Sequence, residues 1–210
     1  MSFDADNTQT SRRRLLESGK SLFAKHGFEQ TSTASIAREA GTSESQLVRY
    51  YRSKAGLLEA IFNDSWRGLN QSIQDVVVGA TDAREALSGV LETVSNAFGS
   101  DPDLAYLLLF EGRRIRGSSH EILLSDGFKQ FDNLLTVLIH RGKRDGTFRT
   151  DLNEAAMASA LLGATEAMIR DRLMAQRAGA PPPFANEEIR AIFFALIGGL
   201  GTHSATPASA

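Results

Sequence analysis

Five prolines occur in 210 residues, and three of them form the single run Pro181-Pro182-Pro183. Proline removes a backbone donor and breaks a helix interior, so almost all of the remaining chain is free to be helical. The apolar pattern uses that freedom. Leu15, Leu16, Gly19, Leu22 and Phe23 recur at helical spacing, which predicts a helix over about residues 10–26, ended by Gly27. Thr31, Ser32 and Thr33 offer cap oxygens for a short helix through Ala40, and Gly41 breaks it. Ser43 and Gln46 have capping-box spacing and open a third short helix to about Tyr51. Ser53 can cap a long fourth helix to about Val78, and Asp82 a fifth through Phe98. Gly99-Ser100-Asp101-Pro102 precedes a helix to about Arg116, and Gly117-Ser118-Ser119 precedes a long one to about Arg144. Asn153 leads into Glu154–Ala178, and Asn186 caps a last helix to about Leu200. No segment alternates with period two for long enough to be a strand. The expected fold is all-α, with about nine helices.

Hydrophobic content is 42% and charged content 23%, so an ordinary globular core can form. The chain has no cysteine, which excludes disulfides, thiolate nucleophiles and cysteine-ligated zinc. The opening MSFDADNTQT lacks the basic-then-apolar order of a signal peptide. The most apolar stretches, 155–169 and 192–201, are shorter than the roughly 20 residues that span a bilayer. A soluble, cytoplasmic protein is expected. His26, His120, His140 and His203 are scattered without ligand spacing, and neither a G-x-S-x-G nor a P-loop is present. Glu111, Arg113, Arg114 and Arg116 read as a solvated helix face, and Glu187-Glu188 suits a helix start. No catalytic residue, cofactor or metal is expected.

Net charge is −2, but it is unevenly placed. Between Ser11 and Lys54 nine lysines and arginines stand against four acids, a net +5, so the remainder carries −7. A basic segment on an acidic body suits phosphate binding at one end. Residues 33–54, TASIAREAGTSESQLVRYYRSK, fall in that segment. A helix-turn-helix needs a small residue where its helices cross, a residue tolerant of a left-handed turn between them, and buried aliphatics on both. Ala37, Gly41, Ile36 and Leu47 meet those needs. The chain therefore reads as a three-helix N-terminal helix-turn-helix domain followed by a larger helical bundle.

The stretch from about Arg12 to Ile61, RRRLLESGKSLFAKHGFEQTSTASIAREAGTSESQLVRYYRSKAGLLEAI, resembles the TetR family of bacterial transcriptional regulators. The likeness rests on the GF after the first helix, the IA…AG core, the S-x-x-Q cap and the aromatic-x-S-K exit. GTFRTDL at residues 146–152 also looks like that family. The resemblance implies that residues 43–51 form a recognition helix in the major groove of double-stranded operator DNA. Ser45 and Gln46 would then read bases, with Glu44 accepting from cytosine or serving the helix dipole, and Arg49 reaching guanine or phosphate. Thr31, Ser32, Thr33, Thr42, Tyr50 and Lys54 look like phosphate clamps. Gln46 could equally be a cap alone. Tyr51 reads as core, and Arg12–Arg14 as either a solvated face or a phosphate contact. Where the family pattern usually carries tyrosine this chain has Val48, so the phosphate role passes to Tyr50. Family glycine is common where Ser45 stands.

Phe62, Trp66, Val90, Leu107, Phe110 and Phe131 supply an apolar, aromatic interior, and bundle cores are where small-molecule pockets form. The resemblance implies an effector site between the fourth helix and the central helices. Ala160, Gly163, Ala164 and Ala167 make a small-residue stripe, and Phe193 and Leu196 add apolar area on the last helix, which reads as a homodimer surface. The expected division is 1–54 for DNA reading (1–9 disordered), 55–203 for ligand binding and dimerisation, and 204–210 as a flexible tail. The expected function is a repressor released from a palindromic operator by a small apolar or amphipathic ligand, with no membrane partner. The alternative is a ligand-binding helical protein of the same fold that does not bind DNA.

Overall fold

A computed structural model describes residues 3–111 and 125–202, with side chains from Thr10 onward. Arg113, Arg114, Arg116, the Gly117-Ser118-Ser119 turn, His120, His203 and the tail lie outside the described residues. Among the described residues there is no strand, only an isolated antiparallel bridge between Phe148 and Gly201. The helices are α1 (Phe3–His26), α2 (Thr33–Glu39), α3 (Glu44–Tyr51), α4 (Lys54–Gly79), α5 (Ala83–Ser100), α6 (Pro102–Tyr106), α7 (Asp126–Arg144), α8 (Glu154–Arg177) and α9 (Asn186–Gly199). The last described turn before residue 112, Leu107–Glu111, is π-helical. None of these helices is long and apolar enough to cross a membrane.

Most helix starts follow from local chemistry. Asp82 accepts from the Glu85 amide at 2.8 Å, Asp101 from that of Leu104 at 3.0 Å, and Asn153 from that of Ala156 at 3.0 Å. Each satisfies an amide that the first turn leaves without a helical partner. The start of α9 differs from expectation. Asn186 is its first helical residue, and the Glu188 carboxylate accepts from the Ala185 amide at 2.7 Å. Asn186 instead takes a hydrogen bond from Arg172. Helix α1 begins at Phe3 rather than near residue 10, because no proline or glycine precedes Gly19 to stop it.

The chain divides into two compact units, residues 1–68 with 101–128, and residues 69–100 with 129–210. In the first, α1 packs on α2, α3, α6 and the π-helical turn. The first unit runs past Lys54 to Gly68 because the start of α4 is part of its core. Leu57, Leu58 and Ile61 are buried there. Gly19 permits the approach of α1 to α4, since a Cβ at that position would lie 2.8 Å from Leu57 Cδ2. Trp66 packs edge-on to Phe128 with ring centres 5.7 Å apart.

In the second unit α5 packs on α8 and α9. Phe148 is fully buried against Gly142, where a Cβ would stand 2.1 Å from the Phe148 ring. The loop that carries Phe148 is held to the end of α9 by the Arg149 amide, which donates to the Leu200 carbonyl at 2.9 Å. Thr147 donates twice to Asp145, through its hydroxyl and its amide, and holds that carboxyl below its ordinary range.

Candidate nucleic-acid interface

The turn between α2 and α3 is set by Gly41, whose φ of +60° is the left-handed conformation expected of that position. Ala37, Ile36 and Leu47 are buried around it. Ser43 adopts extended backbone and its hydroxyl accepts from the Gln46 amide at 3.3 Å. Only this half of the expected capping box forms. The Gln46 side-chain oxygen takes the Thr42 hydroxyl instead of the Ser43 amide. Gln46 is thus anchored from the preceding turn.

Glu44, Ser45, Val48, Arg49 and Arg52 are the exposed side chains of α3 and its C-cap. Glu44 also accepts from the Thr33 hydroxyl at 2.7 Å, which ties the start of α3 to the start of α2. The Ser43 and Ser45 hydroxyls lie 2.8 Å apart. Arg52, which closes α3, has φ of +66° and is the non-glycine residue in that region among the described residues.

The six residues expected at phosphates are placed differently from one another. Ser32 is exposed and caps α2, accepting from the Ser35 amide at 3.1 Å. Thr33 and Thr42 are half-buried. Thr31 turns inward and is 3% exposed. Its hydroxyl donates to the Gly27 carbonyl at 2.8 Å and the Leu22 carbonyl at 3.2 Å, so it closes the end of α1 and offers nothing to solvent. Lys54 donates to the Phe28 and Glu29 carbonyls at 2.8 and 3.3 Å, with its ammonium 4.5 Å from the Phe28 ring centre.

Tyr50 is half-buried and Tyr51 buried, as a core residue should be. The Tyr51 hydroxyl donates to the Arg12 carbonyl at 2.8 Å, and burial holds its phenol above the ordinary range, opposed by the Arg12 side chain. The Arg12 guanidinium stands 5.9 Å from the centres of both tyrosine rings. Arg12 is exposed, as expected of a solvated face, and has a further role. It braces α1 against α3 across 39 residues of sequence, which no local pattern announces. Arg13 pairs with Glu17 at 2.9 Å on an exposed face.

This geometry presents one short helix with a polar, partly cationic outer face. Its position is fixed by a glycine turn before it and by an aromatic and cationic brace behind it. Residues 15–61 match the family described as bacterial regulatory proteins, tetR family. Over that N-terminal segment the chain has the sequence of a tetR-family DNA-binding domain. It is a DNA-binding regulator of transcription. The HTH-type transcriptional repressor KstR2 of Mycolicibacterium smegmatis is 25% identical over 154 residues, covering 73% of this chain and 75% of that protein. Two solved structures share the fold. The fatty acid degradation regulator FadR from Bacillus halodurans has a TM-score of 0.78 at 21% identity, over 90% of this chain and 98% of that one. FadR from Bacillus subtilis, in complex with stearoyl-CoA, has a TM-score of 0.77 at 16% identity, over 90% of this chain and 97% of that one.

The residues expected at an effector pocket fall in both compact units. In the first, Phe62, Trp66 and Leu107 are buried and Phe110 is half-buried, stacked on Tyr106 with ring centres 4.9 Å apart. In the second, Val90 and Phe131 are buried. The second unit also has a narrow groove between α5 and α9, with a cavity volume of only about 20 Å³, lined among others by Ser88, Glu92, Ile189, Arg190 and Phe193. Neither Val90 nor Phe131 lines it.

On the expected dimer surface, Ala160 and Gly163 are exposed and Ala164 and Ala167 half-buried. Phe193 is only 5% exposed. Ile189, Phe193 and Ile197, four residues apart, form the inward stripe of α9, so Phe193 is core of its own subunit. The exposed apolar residues are Ile192, Phe194 and Leu196, with Met174 on α8.

Proposed function

We propose that this regulator is a homodimeric repressor that binds an inverted-repeat operator and is released by an apolar or amphipathic small molecule. The observation that carries the reading is the outer face of α3, where Glu44, Ser45 and Arg49 are exposed and Gln46 is anchored by Thr42. A recognition helix reads base edges with such N-terminal side chains. Ser45, Gln46 and Arg49 are the base readers. Ser32, Thr33, Thr42 and Tyr50 serve the phosphates, with Lys54 beside them. The DNA-reading part is residues 1–54, and 55–203 bind the effector and the second subunit. The protein works in the cytoplasm and catalyses no reaction.

Three apolar side chains exposed on α9, Ile192, Phe194 and Leu196, support a second copy as partner. Two-fold symmetry requires a palindromic site, with the recognition helices about 34–36 Å apart to enter successive major grooves. The apolar, aromatic residues Phe62, Trp66 and Phe110 suit a ligand with a long hydrocarbon part, and the FadR fold with stearoyl-CoA supports that class.

The test is a gel shift of the full chain on the DNA upstream of its own gene, titrated with stearoyl-CoA. The expected result is a discrete complex on an inverted repeat that the ligand dissolves. Linkage then requires the operator to weaken ligand binding by the same factor. A chain that binds stearoyl-CoA but no duplex is the alternative, a ligand-binding protein that kept the fold. Equal ligand affinity with and without operator removes the release mechanism.

A further inference from the structure

Val48 is 52% exposed in the middle of α3. Among the described residues of the first compact unit it is the large hydrophobic side chain left in solvent, since the others, Val78, Val137, Met174, Ile192, Phe194 and Leu196, belong to the second. Single exposed aliphatics are ordinary on protein surfaces. What sets Val48 apart is its surroundings. One helical turn before it stand Glu44 and Ser45, and one turn after it stands Arg52, all exposed. The apolar side chain is therefore the centre of an otherwise polar face that the proposed function presses into the major groove.

Valine has no atom that can bond a phosphate oxygen or a base heteroatom. The one apolar feature on a base-pair edge in the major groove is the C5-methyl group of thymine. The β-branched side chain also has few rotamers to lose, so its methyl groups arrive in a fixed place. Resting on the reading of α3 as a recognition helix, we infer that Val48 is a methyl reader. It packs against a thymine methyl in each half-site and makes the protein prefer T·A at that position.

The experiment begins with selection of bound duplexes from a random pool by the full-length protein. Each thymine of the selected half-site is then replaced by deoxyuridine, which removes the methyl and leaves every hydrogen-bonding group. One position per half-site should lose about fourfold in affinity, the worth of one methyl group taken out of water. Val48→Ala should bind the thymine and deoxyuridine duplexes alike at that position, while keeping the wild-type response at all others. Val48→Thr, which retains one of the methyl groups, should keep part of the discrimination. A selected half-site without thymine overturns the inference. So does binding that is indifferent to deoxyuridine throughout, or a Val48→Ala protein that discriminates as the wild type does. Selection of no duplex at all is a different failure, because it removes the DNA-binding reading itself.

Discussion

The Lys54 ammonium donates to the Phe28 main-chain carbonyl at 2.8 Å while lying 4.5 Å from the centre of the Phe28 ring. The first residue of α4 is in this way fastened to the turn that follows α1. A hydrogen bond to a charged group is worth about 1.5–3 kcal/mol; the Phe28 carbonyl also accepts from the Thr31 amide at 3.4 Å, and this and the partial exposure of Lys54 put the figure at the low end. Lys54→Met is expected to lower unfolding free energy by about 1–2 kcal/mol in a denaturant titration without DNA. Its affinity for all duplexes should fall together, with the salt slope reduced by about one for each phosphate that the ammonium no longer neutralises. An unchanged midpoint would show that the two carbonyls do not need the ammonium.

Arg52 carries a strained backbone. A left-handed conformation costs an L-residue about 1 kcal/mol or more, and glycine avoids most of that cost. Arg52→Gly is expected to raise thermal stability by the equivalent of about 1 kcal/mol, and to weaken DNA binding because it removes an exposed cation from the end of α3. The two measurements move in opposite directions. A fall in melting temperature would mean that the arginine side chain contributes more to folding than its backbone costs.

How much of this is legible in the sequence depends on the range of the interaction. Asp82, Asp101 and Asn153 start their helices as the sequence implies, because a cap acts on an amide three residues away. Gly41 is legible for the same reason. The roles of Lys54, Arg12 and Thr31 are not. Lys54 reaches back 26 residues to Phe28, and Tyr51 reaches 39 to Arg12. Thr31 sits in the same polar triplet as Ser32 and Thr33, and nothing in that triplet says which hydroxyl turns inward.

The last helix shows a different kind of ambiguity. Its apolar residues surround almost the whole cylinder, so periodicity does not assign Phe193 and Phe194 to opposite faces. The burial of Phe193 at 5% and the exposure of Phe194 at 55% separate them. Phe193→Glu is therefore expected to unfold the protein, since a buried unpaired charge is costly. Leu196→Glu or Phe194→Glu should leave the helical circular dichroism intact and give monomers in sedimentation. A folded dimer in both of the latter variants would place the subunit interface elsewhere.

Gln46 carries two roles whose loss can be told apart. Its side-chain oxygen accepts from Thr42, and its backbone amide donates to Ser43 at 3.3 Å. The amide bond survives any substitution at position 46, so the helix cap itself does not depend on the glutamine side chain. The oxygen has a second lone pair, and the NH2 group keeps both donors, which is what bidentate recognition of adenine requires. Gln46→Ala is then expected to change stability by less than about 0.5 kcal/mol, as surface changes usually do. At one base pair of the half-site it should cost about 1–3 kcal/mol of discrimination. Thr42→Val removes the hydroxyl that holds the glutamine in place. It should lose a fraction of the same discrimination at the same base pair, with every other position unaffected. Binding measured on a panel of single-base operator variants, alongside melting of the free protein, separates these effects. If Gln46→Ala discriminates as the wild type does at every position, Gln46 reads no base and its side chain serves only the turn before α3.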